Sequence, residues 1–259
     1  MQDKSHKSQL RSGVLISYLI LVNNFIYAQE AISTERPSFS NSSSVLLPGR
    51  LNVESGFQFQ RVDDATDELV LNTTQLRYGV NEHFELRFTW NLLQRDTQVE
   101  GANLSGTGWA PPVLGIKTQL LEGDGWIPET ALIAEVALRG GSDIFSNDRL
   151  VPALRYSMGW SVGARGALTH TYNIFWALED DRALNLLTLI YAHGITDDLT
   201  AFVELYSFLV KGESDYRTDM GLIYLIKPRF QVDLSGGLGL SDISPDWFLD
   251  VGLSFAIFK

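Results

Sequence analysis

Phe84-Glu-Leu-Arg-Phe-Thr-Trp90 alternates strictly between apolar and polar residues. Successive side chains of an extended chain point to opposite faces. Phe84, Leu86, Phe88 and Trp90 therefore share one face of a strand, and Glu85, Arg87 and Thr89 share the other. The alternation returns in Phe230-Gln-Val-Asp-Leu-Ser-Gly-Gly-Leu-Gly-Leu240. It returns again near the end, where Val251, Leu253, Phe255 and Ile257 oppose Asp250, Gly252, Ser254 and Ala256. Working outward, the pattern predicts about twelve strands, over 50–61, 68–79, 83–94, 111–121, 128–139, 149–158, 160–178, 183–194, 198–208, 216–227, 229–240 and 246–258. Most approach the ~9–11 residues that a tilted strand needs to cross a bilayer. Tight turns are expected at 79–82, 158–160, 194–198 and 227–229, each built of Gly, Asn, Asp or Pro. Longer polar loops are expected between them, at 62–67, 95–110, 140–148, 179–182, 209–215 and 241–245. Only 122–126 is longer than its class.

Alternation alone does not say which face meets water. A soluble barrel hides its apolar face, whereas a membrane barrel shows it to lipid and keeps a polar lumen. Three features favour the membrane form. The polar faces are rich in Gly, Ser, Gln and Thr. Aromatic residues gather near strand ends (Tyr78, Phe84, Trp90, Trp109, Trp126, Trp160, Tyr224, Phe230, Trp247, Phe248 and Phe258), where interfacial girdles lie. The chain also opens with an export signal, read as residues 1–28: basic Lys4, Lys7 and Arg11, an apolar run from Val14 to Val22, and a small residue at Ala28. The fold expected is thus an all-β, closed antiparallel transmembrane β-barrel over 50–259, with short periplasmic turns and longer extracellular loops, in a Gram-negative outer membrane. Residues 29–49, polar, Ser-rich and interrupted by Pro, form either a disordered periplasmic leader or a lumen-plugging segment. In the second case the opposite charges of Glu35 and Arg36, beside Pro37, would dock against lumen charges.

Composition narrows function. A net charge of −11 argues against nucleic acid as a partner. The absence of Cys removes disulfides, thiolate metal sites and a thiol nucleophile. The sequence offers no catalytic constellation, metal-ligand set or cofactor motif. His83, His170 and His193 are not accompanied by a G-x-S-x-G elbow, so an outer-membrane hydrolase is the weakest alternative. The acidic pairs Asp63-Asp64, Asp180-Asp181 and Asp197-Asp198 read as solvated loop charges rather than calcium ligands.

The chain resembles a known family. Thr34-Glu-Arg-Pro-Ser38 followed by Leu47-Pro-Gly-Arg-Leu-Asn-Val-Glu-Ser-Gly56 resembles the opening of the "Putative MetA-pathway of phenol degradation" family, whose members are often labelled "transporter". Leu76-Arg-Tyr-Gly79, Phe84-Glu-Leu-Arg87, Leu114-Gly-Ile-Lys117, Phe202-Val-Glu-Leu-Tyr206 and Asp219-Met-Gly-Leu-Ile-Tyr224 extend the likeness. Gln231–Asp242, Asp246-Trp-Phe248 and Val251-Gly-Leu-Ser254 complete it. The resemblance implies an outer-membrane barrel concerned with solute passage. It does not imply phenol as substrate. The chain departs from the usual aromatic end of such barrels by finishing Phe258-Lys259.

The polar faces put Arg77, Glu85, Arg87, Lys117, Glu135, Arg155, Arg165, Glu204, Asp219 and Asp233 in the expected lumen. They are the candidate pore lining, and equally candidates for a structural salt-bridge network, because charges inside a barrel must be paired or wet. On the 198–208 strand, Phe202, Glu204 and Tyr206 share the inward face, a combination suited to an apolar or aromatic solute or simply to lumen packing. The expected function is passive or facilitated passage of a small, aromatic or hydrophobic solute. The expected partners are that solute, outer-membrane lipid and the barrel-assembly machinery. The rival is a closed structural or interaction barrel that presents its loops.

Overall fold

The computed structural model describes residues 31–99, 102–176, 183–210 and 213–257. The expected signal (1–28), Asp180-Asp181 and Phe258 lie outside them. The described chain forms thirteen strands: β1 Leu51–Asp63, β2 Thr66–Gly79, β3 Phe84–Val99, β4 Ala102–Trp109, β5 Val113–Leu121, β6 Glu129–Ala137, β7 Val151–Val162, β8 Gly166–Phe175, β9 Leu184–Gly194, β10 Leu199–Val210, β11 Glu213–Lys227, β12 Phe230–Gly239 and β13 Trp247–Ile257. All pairings are antiparallel between neighbours in the chain, except that β3 also pairs β5 and β1 closes on β13, from Leu51 opposite Ile257 to Arg61 opposite Trp247. Every strand but β4 belongs to the ring, which makes a closed twelve-stranded transmembrane barrel with one extra strand. Closure leaves no strand edge whose N–H and C=O groups would face lipid unpaired.

The extra strand arises because β3 is long enough to pair twice. Its first part, Phe84–Thr89, pairs with β5, and its second, Leu92–Val99, with β4. Pro111 and Pro112 separate β4 from β5, and proline has no N–H to continue a ladder. The 95–110 region expected as a loop is therefore largely hairpin. The 62–67 and 209–215 loops shrink for a related reason. Strands β1 and β2 run on to Asp63 and Thr66, and β10 and β11 to Val210 and Glu213. Beyond the lipid both faces of a strand are wet, so the apolar-polar alternation that marks a strand in the sequence disappears there. Exposed ion pairs such as Arg95–Glu68 (2.5 Å) and Arg61–Asp67 (2.5 Å) join these outer segments instead.

One expected turn is misplaced. The chain does not turn at 158–160. It turns at 163–165, where Gly163 adopts a φ of 64°. Gly159 sits inside β7 for another reason: the Ser43 side chain passes where its Cβ would be.

The faces are inverted relative to a soluble protein. Arg77, Glu85, Lys117 and Glu204 are wholly buried, while Leu205, Leu234, Leu249 and Met220 are more than half exposed. The exposed set includes Phe84, Leu86, Phe88, Leu114, Ile116, Leu222, Val251 and Leu253, one face of successive strands. Only a lipid solvent makes that arrangement favourable. Phe248 is an exception to the expected girdle, because its parity on β13 turns it inward and buries it. Phe88→Arg and Leu234→Arg should each cost about 2–4 kcal/mol of membrane stability. Both variants are expected to lose the heat-modifiable folded band on gels of outer-membrane fractions. Wild-type folding of both would reverse the face assignment.

Candidate functional site

Residues 31–50 run inside the ring and leave it at the end where they entered. The Ile32 N–H donates to the Pro228 carbonyl at the β11–β12 turn (2.8 Å), and the Gly49 N–H to the Gly79 carbonyl at the end of β2 (2.8 Å). The backbone at Leu46 and Leu47 passes so close to Gly79 that any side chain there would collide with it. The segment has no regular secondary structure, so its amides need partners. The inward carboxylates and hydroxyls of the strands supply them. Glu54 accepts from the N–H groups of Glu35 (2.9 Å) and Arg36 (3.1 Å). Glu204 accepts from those of Phe39 (2.9 Å) and Ser40 (2.7 Å) and from the Ser40 hydroxyl (2.5 Å). Thr171 accepts from the Asn41 N–H (3.1 Å) and Glu85 from the Leu46 N–H (3.1 Å).

Glu35 is the centre of a buried charge cluster. Its carboxylate accepts from Lys117 Nζ (2.9 Å), Asn41 Nδ2 (2.9 Å), the Ser42 N–H (2.9 Å) and the Ser42 hydroxyl (3.1 Å). It also faces Arg77 at 3.3 Å and Arg87 at 3.5 Å. Arg77 grips Glu85 with two bonds, Nε at 2.8 Å and Nη2 at 2.9 Å, and reaches Glu54 through Nη1 at 2.9 Å. Arg155 pairs with Glu135 at 2.8 Å and donates to Asn41 Oδ1 at 3.2 Å. On this wall, built by β1, β2, β3, β5, β6 and β7, Glu35 is the carboxylate that Arg77, Arg87 and Lys117 share.

The facing wall, on β10 to β13, has the opposite balance. Glu204, Asp219, Asp233 and Asp250 are all buried, and Arg36 of the segment bonds Asp233 (3.0 Å) and Asp250. Neither carboxylate oxygen of Asp219 has a hydrogen-bond partner among the described residues. Phe39 lies against the same wall, stacked on Tyr206 with centroids 4.4 Å apart and edge-on to Phe248 at 6.1 Å.

The segment stands between two cavities. One, of about 380 Å³, is lined by Glu35–Phe39 and Asn41 together with Thr73, Gln75, Thr89 and Phe208. The other, of about 610 Å³, lies at the short-turn end beside Ser43, Glu122–Gly125 and Gly159.

Of the candidate pore residues, Arg77, Glu85, Arg87, Lys117, Glu135, Asp219 and Asp233 are buried inside the ring, and Arg155 is mostly so. Arg165 is not a lumen residue. It falls in the 163–165 turn and pairs with exposed Asp197 at 2.8 Å, a consequence of the turn lying further along than the glycine at 159 suggested. Phe202, Glu204 and Tyr206 are all buried on the inward face of β10, but Glu204 holds the segment and Tyr206 stacks on Phe39. Sequence parity could have added Glu54 and Asp250, which share an inward face with Asn52 and Gly252 respectively. Their partners lie on a segment distant in the chain, and no local pattern points to it. His83 lies in the β2–β3 connection, His170 contacts the Thr188 carbonyl (2.7 Å) and His193 the Tyr191 hydroxyl (3.1 Å). Among the described residues no group of three or more His, Asp or Glu is placed to hold a metal ion.

The fold has relatives among solved structures. An outer membrane channel from Pseudomonas putida F1 superposes with a TM-score of 0.69 at 10% identity, over 85% of this chain and 100% of that one. The translocator domain of the autotransporter NalP from Neisseria meningitidis gives 0.54 at 11% identity, over 96% and 97%. The KdgM porin gives 0.51 at 14% identity, over 80% and 99%. At such identities the likeness is one of fold, the outer-membrane barrel. No curated protein matches the chain. The family described as "Putative MetA-pathway of phenol degradation" matches residues 34–257, which takes in both the segment that fills the lumen and the ring around it. The chain is a member of that family.

Proposed function

We propose that the protein is an outer-membrane channel for a small solute, without enzymatic activity, and that residues 31–50 form its constriction. The observation that carries this reading is the position of the segment. It lies across a polar lumen with cavities of about 380 and 610 Å³ on its two sides, held by side-chain hydrogen bonds and ion pairs rather than by a strand of its own. Such contacts exchange with water or with a solute far more readily than a β-ladder does. The channel role recorded for the Pseudomonas putida relative supports the reading by likeness of fold. Phe39 of the segment, with Tyr206, Phe208 and Phe175 of the ring beside it, gives the solute an apolar surface to slide over that is compatible with an aromatic cargo.

Removing residues 31–46 from the refolded protein should raise single-channel conductance in a planar bilayer several-fold. An inserted barrel with unchanged or no conductance would overturn the constriction and favour a closed scaffold that presents its loops. Glu35→Gln should leave three buried cations without their shared anion. Stripping one partner from a buried charge pair costs about 3–5 kcal/mol. The variant is expected to unfold at lower temperature and to show more frequent open events than the wild type. Wild-type behaviour in both measurements would remove Glu35 from its central position.

A further inference from the structure

The charges of the lumen are out of balance in one direction. Four carboxylates, Glu204, Asp219, Asp233 and Asp250, are buried on the inward faces of β10 to β13. Among the described residues a single cation, Arg36, is ion-paired with any of them, and it takes Asp233 and Asp250 together. Glu204 is met by N–H and hydroxyl groups alone. Asp219 stands directly opposite Glu204 in the β10–β11 ladder, is 1% exposed, and has no hydrogen-bond partner among the described residues. Like charges set opposite each other in a sheet repel. A buried carboxylate without a partner draws positive charge from its surroundings. The other wall brings no surplus of cations, because Arg77, Arg87, Lys117 and Arg155 are ion-paired with Glu35, Glu54, Glu85 and Glu135. The cavities carry the same bias. The one of about 610 Å³ at the short-turn end is lined by Glu122, Asp124 and Glu129 and, among the described residues, by no Lys, Arg or His. The one of about 380 Å³ sets Glu35 and Glu54 against Arg36 and Arg155. Its aromatic rings take positive charge on their faces: the Arg155 guanidinium lies over Phe175 at 5.2 Å and that of Arg217 over Phe208 at 4.7 Å.

We propose that the solute of this channel is a small organic ammonium ion, and that the acidic wall of β10 to β13 together with Glu122, Asp124 and Glu129 selects it by charge. The proposal rests on the channel reading and gives its solute a sign. A charge need not touch a solute to select it. In an enclosed lumen with walls of low dielectric, the field of buried carboxylates is weakly screened and reaches across the space. Carboxylates of one sign at the short-turn end raise the local concentration of cations and keep anions out. The rings of the other cavity favour a cation with an apolar body. The segment leaves this bias in place, because Glu35 and Arg36 cancel.

The test is a reversal potential, measured on the full chain in a planar bilayer across a KCl gradient. K⁺ should be preferred over Cl⁻ by about tenfold, the lower end of what a cleft lined by one sign of charge does to local ion concentration. Benzylammonium in place of K⁺ should carry current, and benzoate, its match in size, should carry none in place of Cl⁻. Glu122→Gln/Asp124→Asn, on an exposed turn, and Asp219→Asn, which breaks no hydrogen bond to a described residue, should each lower the preference for K⁺ several-fold. Asp197→Asn, at an exposed turn outside both cavities, should leave it unchanged. Should the wild type stay closed, Glu35→Gln/Arg36→Gln, which removes one charge of each sign and the segment's ion pairs on both walls, is measured in the same gradient. Equal passage of K⁺ and Cl⁻, a preference for benzoate over benzylammonium, or a preference that both sets of neutralised carboxylates leave intact overturns the proposal while the channel stands. A barrel that inserts but carries no current in either form overturns the channel, and the cationic solute with it.

Discussion

The structure depends first on the backbone. A strand in lipid has no water to satisfy its N–H and C=O groups, so the sheet must close, and β1 meets β13 over Leu51–Arg61 to close it. Closure fixes an enclosed volume lined by alternate residues of every strand. Most of those residues are polar or charged, with Ile133, Leu186, Phe202 and Phe248 among the apolar exceptions. The interior is therefore a space of fixed size crowded with Arg77, Glu54, Glu85, Lys117, Glu204, Asp233 and Asp250, all buried. It has to be filled by something that can bond them.

Residues 31–50 meet that demand with backbone amides and two opposite charges. The two walls are unequal without it. One side carries Arg77, Arg87, Lys117 and Arg155 among Glu54, Glu85, Glu129 and Glu135, and the other carries Glu204, Asp219, Asp233 and Asp250, and the segment sets Glu35 against the first and Arg36 against the second. Taking charges out of water costs several kcal/mol per ion, and pairing repays this only when geometry is good and the remaining lone pairs are satisfied. The segment supplies many of those remaining partners. Its bonds to the walls are therefore best understood as completing a network, and removing one member is felt by the others.

Much of the barrel was legible in the sequence because lipid enforces period two. Phe88 and Leu234 outward, and Arg77, Glu85, Lys117 and Glu204 inward, follow from parity alone. Where lipid stops, the signal stops, which is why the hairpin around Asp64-Ala65 and the strand Ala102–Trp109 read as loop. Gly159 misled in a different way, since a glycine demanded by the approach of Ser43 looks in the sequence like one demanded by a turn, and the slip carried Arg165 from the β7–β8 turn into the expected lumen. The site itself was legible in composition but not in arrangement. Thr34-Glu-Arg-Pro37 advertises opposite charges, yet that Glu35 meets Lys117 and Arg36 meets Asp233 is settled by where distant strands fall around the ring.

The partners of residues 31–50 have a temporal consequence. They are distributed from Glu54 on β1, through Thr171, Thr188 and Glu204, to Asp250 on β13. Although synthesised ahead of every strand, the segment has no complete binding surface until the last strand has paired with the first. Its full set of partners exists only once β1 and β13 have paired. The filled lumen thus ties the start of the chain to strands from both ends of the ring, so the contacts of the segment report on closure of the whole barrel.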